Sequence, residues 1–591
     1  MILLRRKPQR FLALGLCITL LFFGCIPTTK QQVIPGNGIN VILAIGDGMG
    51  WEMTRAGAIA NGNPMYASGQ GQGLNFQKLT GYTLASTYGT IITGSDGKLS
   101  AVNSALDGSN PATGKSSVLK GFNFNPAFNN GDSGNLVGYD IARGGANPWT
   151  QGNDKEYIKQ NPPDSANTAT ELYTGVKTYN NAMGVDIYEQ RQTTILEQAA
   201  RHSKSTGLVT SVPINHATPG AAASFVNRRN KFSNPSPDLD NILQQTLTIF
   251  KPTVLLGGGH PLDTENSNAV GGWYNWNYID KFTYYELTTK PKSNSYGYTF
   301  LERGKNAAKT LLETAATIDP NKGEKLLGIY GARGQNGNLP FSTANGDYSS
   351  TGLNGSSLFS TTDENNQVPL PDKVRPLNSG ETDAKFIKKE INENPTLADL
   401  TQAALTVLSK DKDGFWLMVE GGDIDWAAHD DNMDNLIGAV KDFDKAVGTI
   451  INWIGKNGGW EKNLLIVTAD HDHYLTLNPN FPKLLAEFGA EKLTYEKHKP
   501  EEAGHFWGSD AKIKYGWGSH SNHLVPVYYQ GGPVKLDKYV GKEITFVDHH
   551  PGGNAETYNV PGVASAVDQT HIYQLMLETI NAPAAKPKES K

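Results

Sequence analysis

The chain has 591 residues, 38% of them hydrophobic, and a formal net charge of −5. This length suffices for one large domain with insertions or for two or three domains, and the apolar content predicts a globular protein with a sizeable core rather than a disordered one. Because the charge balance is nearly neutral and no long basic run occurs, we expect no nucleic-acid partner.

The N-terminus has the pattern of an export signal. An apolar run at residues 11–23 follows a basic start and is too short for a comfortable membrane span. It ends at Gly24-Cys25, which resembles a bacterial lipoprotein processing site. We predict a signal peptide over residues 1–25, with lipidation of Cys25 favoured over plain cleavage and over an uncleaved membrane anchor. Cys17 is the only other cysteine, so the rest of the chain has no thiol for a disulfide, a metal or catalysis.

Apolar runs and helical patterns alternate along the chain after a polar linker at residues 26–38. The predicted elements are, in chain order, strand 40–45, helices 164–178 and 194–203, strands 205–213, 253–256 and 325–330, helix 397–409, strand 415–419, helix 433–455, strands 463–467 and 524–529, and helix 569–580. Such alternation predicts an α/β fold with a mainly parallel sheet covered on both faces.

Three stretches and the C-terminal end depart from this alternation. Residues 61–160 are rich in Gly, Asn and Ser with weak periodicity, and we expect an insertion with little regular core there. Residues 230–400 and 474–515 are read as two further insertions, and residues 583–591 as a polar tail.

Acidic, imidazole and hydroxyl side chains follow several of the predicted strands directly. Asp47, Glu420 and Asp470 each come just after an apolar strand, as do His216 and Thr218. Because ligands of open α/β sheets bind at the carboxyl ends of the strands, we expect these side chains to converge on one edge of the sheet.

Two local pairs suggest a bound cation. Asp425 and His429 are four residues apart, which places both on one face of a helix, although a solvated acidic patch is the alternative. Asp470-His471 offers a carboxylate and an imidazole at a strand end, where an ordinary turn is the alternative. His473 is interpreted as a bystander or as a residue that contacts the ligands from outside.

Asp164-Ser165 stands directly before a helical run. The simple interpretation is an N-cap, which is very common. The functional interpretation places the Ser165 hydroxyl at a helix N-terminus, where backbone N–H groups and the helix dipole favour an anion such as phosphate. Arg229 and His520 are ambiguous by themselves.

Taken together and in order, these pieces resemble the alkaline phosphatases. The matching stretches are Ile45-Gly46-Asp47-Gly48-Met49-Gly50, Asp164-Ser165-Ala166 with Thr174-Gly175-Val176-Lys177-Thr178, His216-Ala217-Thr218-Pro219, Met418-Val419-Glu420-Gly421-Gly422, Asp425 with His429, Thr468-Ala469-Asp470-His471, and His520. The resemblance covers about residues 40–580 outside the insertions. It implies an alkaline-phosphatase-like three-layer α/β/α sandwich over residues 39–582, with a mainly parallel central sheet and long insertions.

The resemblance also implies two Zn²⁺ ions and one Mg²⁺ ion. It assigns the first zinc to Asp425, His429 and His520, the second zinc to Asp47, Asp470 and His471, and the magnesium to Asp47, Thr218 and Glu420. Ser165 would be the nucleophile that forms a phosphoserine intermediate. Arg229, rather than the adjacent Arg228, would bind the phosphate.

Two positions vary within the family that the chain resembles. His216 stands at the magnesium site where some members carry Asp, which removes one negative charge and predicts weak magnesium retention or a third site that accepts zinc. Trp426 stands where others carry Lys or His, and it removes a cation near the phosphate.

The expected activity is hydrolysis of phosphate monoesters in the periplasm or on an outer-membrane-attached lipoprotein, with phosphomonoesters as the small-molecule partners. A phosphodiesterase or sulfatase of the same superfamily and a non-catalytic metal-binding surface lipoprotein are the alternatives. Thr218, Glu420 and Arg229 favour monoesters within the resemblance. The sequence leaves the choice between a monomer and a homodimer open.

Overall fold

The computed structural model describes residues 34–93, 99–100, 125, 134–233, 241–263, 273–274, 276–348, 377–495, 499–548 and 554–583. The predicted signal peptide with Cys25, the first part of the linker and nearly all of the tail lie outside these residues. The described end of the linker is held against the domain, because the Asn37 side-chain amide donates to three carbonyl oxygens at the end of the last helix, those of Thr579, Ile580 and Ala582. None of the described helices has the length and apolar character needed to cross a membrane.

One large sheet forms the centre of the described structure. Its ten strands lie in the spatial order Val567–Asp568, Gly81–Ser86, Val525–Gly531, Asn463–Ala469, Asn40–Gly46, Phe415–Gly421, Ser205–Pro213, Val254–Gly258, Leu326–Ile329 and Thr299–Glu302. Strand Val525–Gly531 runs antiparallel to both neighbours, and the other pairings in this sheet are parallel. The predicted mainly parallel sheet is confirmed.

Helices cover both faces of the sheet. On one face, helix Met433–Lys456 packs on helices Trp51–Ala60 and Leu397–Leu408, and the latter packs on helix Ala307–Thr317. On the other face, helix Gln569–Asn581 packs on Ser165–Thr174 and Ile195–Arg201. The central strand Asn40–Gly46 contacts both Met433–Lys456 and Gln569–Asn581, so the architecture is a three-layer α/β/α sandwich.

The remaining elements are short and lie around this sandwich. The other helices are Ile141–Gly144, Ala217–Ala222, Ile242–Gln245, Lys281–Thr289, Asp383–Glu393, Asp423–His429, Gly459–Lys462, Phe481–Phe488, Ala490–Tyr495 and Pro500–Ala503. The other strands pair as Ile92–Thr93 with Leu99–Ser100, Leu262–Asp263 with Trp273–Tyr274, Asp472–His473 with His520–Ser521, Leu475–Leu477 with His505–Trp507, and Ile544–Asp548 with Glu556–Val560.

Every long element predicted from the sequence is present, and the sheet has three strands that the pattern did not predict. Gly81–Ser86, Thr299–Glu302 and Val567–Asp568 all belong to the main sheet. The expectation of little regular core across residues 61–160 is therefore wrong at Gly81–Ser86. This strand has no apolar alternation of its own, and its backbone is held instead by the neighbouring strands Val525–Gly531 and Val567–Asp568.

The central strand shows why the long elements could be predicted from the sequence. Residues 41–45 of strand Asn40–Gly46 are all fully buried, since helices cover both of its faces. A strand buried on both faces has a continuous apolar run rather than alternation.

We expect Ile42→Ala to lower the free energy of unfolding by about 2–5 kcal/mol, because Ile42 is 0% exposed in a close-packed core. The matched control is Ile391→Ala, whose side chain is 43% exposed and which should cost less than about 1 kcal/mol. Guanidinium denaturation followed by circular dichroism measures both. Equal losses in the two variants would contradict the two-sided burial of the central strand.

Candidate active site and metal centre

Three carboxylates meet at the carboxyl edge of the central strands. Asp47 follows strand Asn40–Gly46, Glu420 lies at the end of Phe415–Gly421, and Asp470 follows Asn463–Ala469. The strand pairing places Ile45 opposite Glu420 and Gly46 opposite Ala469, so Glu420 and Asp470 flank Asp47 from the two adjacent strands. Each is at most 1% exposed.

Ser165 is the first residue of helix Ser165–Thr174, and Asp164 is its N-cap. The Asp164 carboxylate accepts from the Asn167 backbone N–H at 3.0 Å, and the Asn167 side chain accepts from the Asp164 N–H in return. The buried Ser165 hydroxyl donates to Asp47 Oδ1 at 3.2 Å and lies 3.1 Å from His471 Nε2. The two interpretations of this motif are therefore compatible, since Asp164 caps the helix while Ser165 reaches the acidic edge.

Asp425 and three imidazoles form a first buried cluster. Asp425 Oδ1 lies 3.1 Å from His520 Nε2 and 3.5 Å from His429 Nε2, and these two nitrogens are 3.0 Å apart. The alternative of a solvated acidic patch is wrong for this pair, because Asp425 is 5% and His429 6% exposed. With His473, their ligand atoms all lie within 4.8 Å of one another.

His473 is closer to the centre than a bystander would be. Its Nε2 lies 2.7 Å from Asp425 Oδ1, and its strand pairs with the strand of His520. No local pattern predicted this contact, because His471 lies in a turn and His473 and Asp425 are 48 residues apart in the chain.

A second cluster surrounds the Ser165 hydroxyl. His471 Nε2 lies 3.2 Å from Asp47 Oδ1 and 3.5 Å from Asp470 Oδ2, and Asp47, Asp425 and His471 form a second group of converging ligand atoms. Asp470 Oδ1 accepts from the Gly48 and His471 backbone N–H groups at 3.0 and 2.9 Å. The Asp470-His471 backbone is thus a turn that points the side chains of both residues into this cluster, as the metal interpretation requires.

A third candidate ion site lies at the other carboxylate oxygen of Asp47, Oδ2. Thr218 Oγ1 is 3.5 Å from Asp47 Oδ2, and Glu420 Oε2 accepts from Thr210 at 2.5 Å. Glu420 Oε1 is buried and has no hydrogen-bond partner among the described residues. An ion of hard-oxygen preference fits such an unpaired oxygen beside a hydroxyl and a carboxylate.

His216 lies in an aromatic environment near this third position. Its ring lies parallel to the Phe232 ring at 6.0 Å and is 5.6 Å from Trp426. Its Nδ1 is buried without a hydrogen-bond partner among the described residues. Burial and the Arg229 charge lower the pKa of His216 to about 3, so the imidazole is neutral.

Arg229 is anchored by the residue that precedes Ser165. Its Nη1 donates to Asp164 Oδ2 at 3.0 Å. Asp164 Oδ1 accepts from the Asn167 and Asn181 backbone N–H groups, so this one carboxylate caps the helix and holds the guanidinium. The sequence predicted only the capping role.

A family model described as alkaline phosphatase matches residues 146–526, which is more than half of the chain. The chain belongs to the alkaline phosphatase family. This match includes every predicted site residue except Asp47.

Curated relatives carry the same family name. Alkaline phosphatase 4 of Bacillus subtilis (strain 168) is 30% identical over 378 residues, which are 63% of this chain and 62% of that protein. Alkaline phosphatase of Escherichia coli (strain K12) is 29% identical over 386 residues, 61% of this chain and 70% of that protein. The chain thus spans less than two thirds of the length of the first of these relatives.

Alkaline phosphatases are also among the solved structures that were compared with this chain. A cold-active alkaline phosphatase from the psychrophile Shewanella sp. gives a TM-score of 0.49 at 18% identity, covering 92% of this chain and 100% of that one. The alkaline phosphatase from the Antarctic bacterium TAB5 gives a TM-score of 0.45 at 18% identity, covering 93% and 99%.

The electrostatics of this alkaline phosphatase family site are those of a cation-binding centre. Burial, together with repulsion between the acids, raises the pKa of Asp470 to about 7 and that of Asp47 well above its usual range. Burial likewise raises the pKa of Glu420 to about 7.

The pKa values of the imidazoles and of Asp425 also suit a cation-binding centre. Burial lowers the pKa of His429 to about 4, so its ring is neutral and can act as a ligand. Burial alone would raise the pKa of Asp425, but His429, His473 and His520 hold that pKa well below its usual range. Buried acids beside neutral imidazoles suit divalent ions, which favour the ionised carboxylates.

We expect the carboxyls of Glu420 and Asp470 to make the metal-free protein less stable as the pH rises from about 4 to about 7, whereas the buried neutral histidines act in the opposite direction. The folded pKa of Glu420 and of Asp470 is about 7, above the usual 4.5 and 3.8, so in this window the folded state holds protons that the unfolded state has released. Zn²⁺ requires the ionised acids, and its stabilising effect should therefore be larger at pH 8 than at pH 5.

Thermal unfolding of chelator-treated protein across this pH range, with and without added Zn²⁺, measures both effects. The Glu420→Gln variant should show a shallower decline with pH, because one titrating carboxyl is gone. A zinc effect of the same size at pH 5 and pH 8 would contradict the raised pKa values.

Proposed function

We propose that this protein hydrolyses phosphate monoesters to an alcohol and inorganic phosphate through a phosphoserine formed on Ser165. The observation that carries the proposal is the position of the Ser165 hydroxyl, at a helix N-terminus and 3.2 and 3.1 Å from Asp47 and His471. Family membership supports the same reaction.

The proposed ion sites follow the ligand clusters. Zn²⁺ would be held by Asp425, His429 and His520, a second Zn²⁺ by Asp47, Asp470 and His471, and Mg²⁺ by Asp47, Thr218 and Glu420. When bound, such ions lower the pKa of the hydroxyl and of water and neutralise charge on the attacking and leaving oxygens. Nitrogen and carboxylate donors suit zinc, and hydroxyl and carboxylate oxygens suit magnesium.

Ser165 is placed to attack phosphorus and to receive the phosphoryl group. Its hydroxyl donates to Asp47 Oδ1, so a carboxylate that bound ions would keep ionised faces the proton that must leave. The N–H groups of the first helical turn and the helix dipole favour the anionic phosphate at this position.

Arg229 would bind two non-bridging oxygens of the phosphate. A guanidinium presents a planar fork that matches such oxygens, and its bond to Asp164 fixes that fork next to Ser165. With three divalent ions, four carboxylates, an ionised Ser165 and Arg229, the site carries about two positive charges, which suits a phosphomonoester dianion.

The neutral His216 is the basis of the proposal for the third ion. An imidazole supplies no negative charge, so magnesium would be retained weakly or replaced by zinc. Finding one tightly held magnesium per chain in a metal titration would contradict this proposal.

The rival activities differ at named residues. A cysteine-type sulfatase needs a modified cysteine, and Cys17 and Cys25 are the only two in the chain. A phosphodiesterase needs neither Arg229 nor the Thr218–Glu420 position. A non-catalytic metal-binding lipoprotein would have no use for the hydroxyl of Ser165 at this point.

The cellular setting of the proposal comes from the N-terminal pattern. We propose export to the periplasm or attachment to the outer membrane through a lipidated Cys25, with phosphate monoesters as substrates. Whether the protein is a monomer or a homodimer stays a prediction with two alternatives.

Ser165→Ala should lower kcat for a chromogenic phosphomonoester at least about 1,000-fold while zinc content is retained, because the attacking oxygen is lost and the ligands are not. The matched control is the exposed Ser409→Ala, which should leave kcat unchanged. The same assays with the matching phosphodiester and sulfate ester test the rivals. Faster turnover of either by the unaltered protein would overturn the monoesterase assignment.

Arg229→Ala should raise KM for the monoester and the inhibition constant of inorganic phosphate about 10- to 100-fold, the usual cost of losing charged hydrogen bonds. Arg229→Lys should give KM and inhibition constants between those of the unaltered protein and of Arg229→Ala, because an ammonium keeps the charge and lacks the planar fork. The control Arg191→Ala removes a side chain that is 44% exposed. An unchanged phosphate inhibition constant in Arg229→Ala would exclude the guanidinium from phosphate binding.

A further inference from the structure

The start of the last helix touches the turn that carries two of the proposed zinc ligands. Gln569 is the first residue of helix Gln569–Asn581 and is 0% exposed. Its side-chain amide Nε2 donates to the Asp470 carbonyl oxygen at 2.5 Å. The bond reaches the backbone of Asp470 and does not involve its carboxylate.

The same helix start is tied to the helix of Ser165. Asp568, the N-cap of the last helix, has Oδ2 2.9 Å from Lys177 Nζ, and the same ammonium lies 2.8 Å from Glu171 Oε2. Glu171 belongs to helix Ser165–Thr174. These side chains are between 0% and 3% exposed, so water screens their attraction little.

The two helices also pack too closely to slide. Gly175 ends the Ser165 helix with φ of +71°, and a Cβ built there would lie 2.5 Å from Tyr573 Cδ1 on the last helix. Because the contact is close-packed, a shift of one of these helices would displace the other.

Asp470 is therefore held from three directions. Its carboxylate accepts from the Gly48 N–H at 3.0 Å and from the Thr168 hydroxyl at 3.1 Å, and its carbonyl accepts from Gln569. Thr168 lies on the Ser165 helix, so two of the three contacts lead back to the helix of the nucleophile.

We propose that Gln569 is a positioning residue. It fixes the Asp470-His471 turn relative to Ser165 by joining the turn to the last helix, which the Asp568–Lys177–Glu171 ion cluster locks to the nucleophile's helix. The inference rests on the proposed function, since it assigns Gln569 to the geometry of that site. Gln569 contacts neither substrate nor ion, and it acts through the backbone of Asp470.

The test compares Gln569→Met with Gln574→Met. Both remove a glutamine amide from the same helix, and Gln574 is exposed. Loss of one buried hydrogen bond to the turn should lower kcat for the phosphomonoester about tenfold, leave KM within about twofold, and weaken zinc binding about tenfold in chelator competition. The control should change none of these. Because the buried Asp470 carbonyl loses its partner, the metal-free Gln569→Met protein should also unfold at a lower midpoint than the control.

Asp568→Asn provides a second variant that keeps a good N-cap and weakens the ion pair with Lys177. It should lower kcat about threefold at unchanged KM. Zinc affinity and kcat of Gln569→Met within twofold of the control would overturn the proposal, and so would an unfolded Gln569→Met protein together with an unaltered kcat in Asp568→Asn. Absence of monoesterase activity in the unaltered protein would instead defeat the proposed function, and the zinc competition would still test Gln569.

Discussion

The crowding of buried carboxylates at one edge of the sheet is the constraint on which this site depends. Asp47, Glu420 and Asp470 follow neighbouring strands, and each loses its water shell when the chain folds. Ionised groups so buried cost free energy unless an opposite charge compensates them, which the raised pKa values of all three express. The fold therefore builds a centre in which bound cations would compensate the buried carboxylates.

The Ser165 hydroxyl, the proposed nucleophile, is set against this acidic edge by a single carboxylate. Asp164 caps the helix that begins with Ser165, accepts from the Asn181 backbone, and holds Arg229 through its second oxygen. The helix start and the arginine consequently share one support. A change that moved the helix N-terminus would displace the hydroxyl and the guanidinium together, which in the proposed reaction would couple attack on phosphorus to phosphate binding.

Behind the site, buried charge of a different kind maintains the geometry. Lys177 sits between Glu171 and Asp568 in a region that water does not reach, and burial raises the pKa of Glu171 to about 8. Near neutral pH, a protonated Glu171 beside the Lys177–Asp568 ion pair leaves the cluster without net charge. Unlike the acids at the sheet edge, this cluster is balanced within the protein itself. The acids at the sheet edge therefore need ions for charge compensation, whereas the cluster around Lys177 supports the fold without them.

The sequence by itself determined the long elements and predicted the candidate site residues that the structure brings together. Apolar runs and periodicity predicted strand Ser205–Pro213 and helix Met433–Lys456. The acids after the strands could be predicted as site residues because the carboxyl ends of parallel strands converge at one edge of the sheet. Only the tertiary structure decided the short sheet strands Gly81–Ser86 and Thr299–Glu302, the approach of His473 to Asp425, and the bond from Arg229 to Asp164. The physical reason is range: local patterns record which face of an element is buried, whereas these features arise from contacts between segments that are distant in the chain.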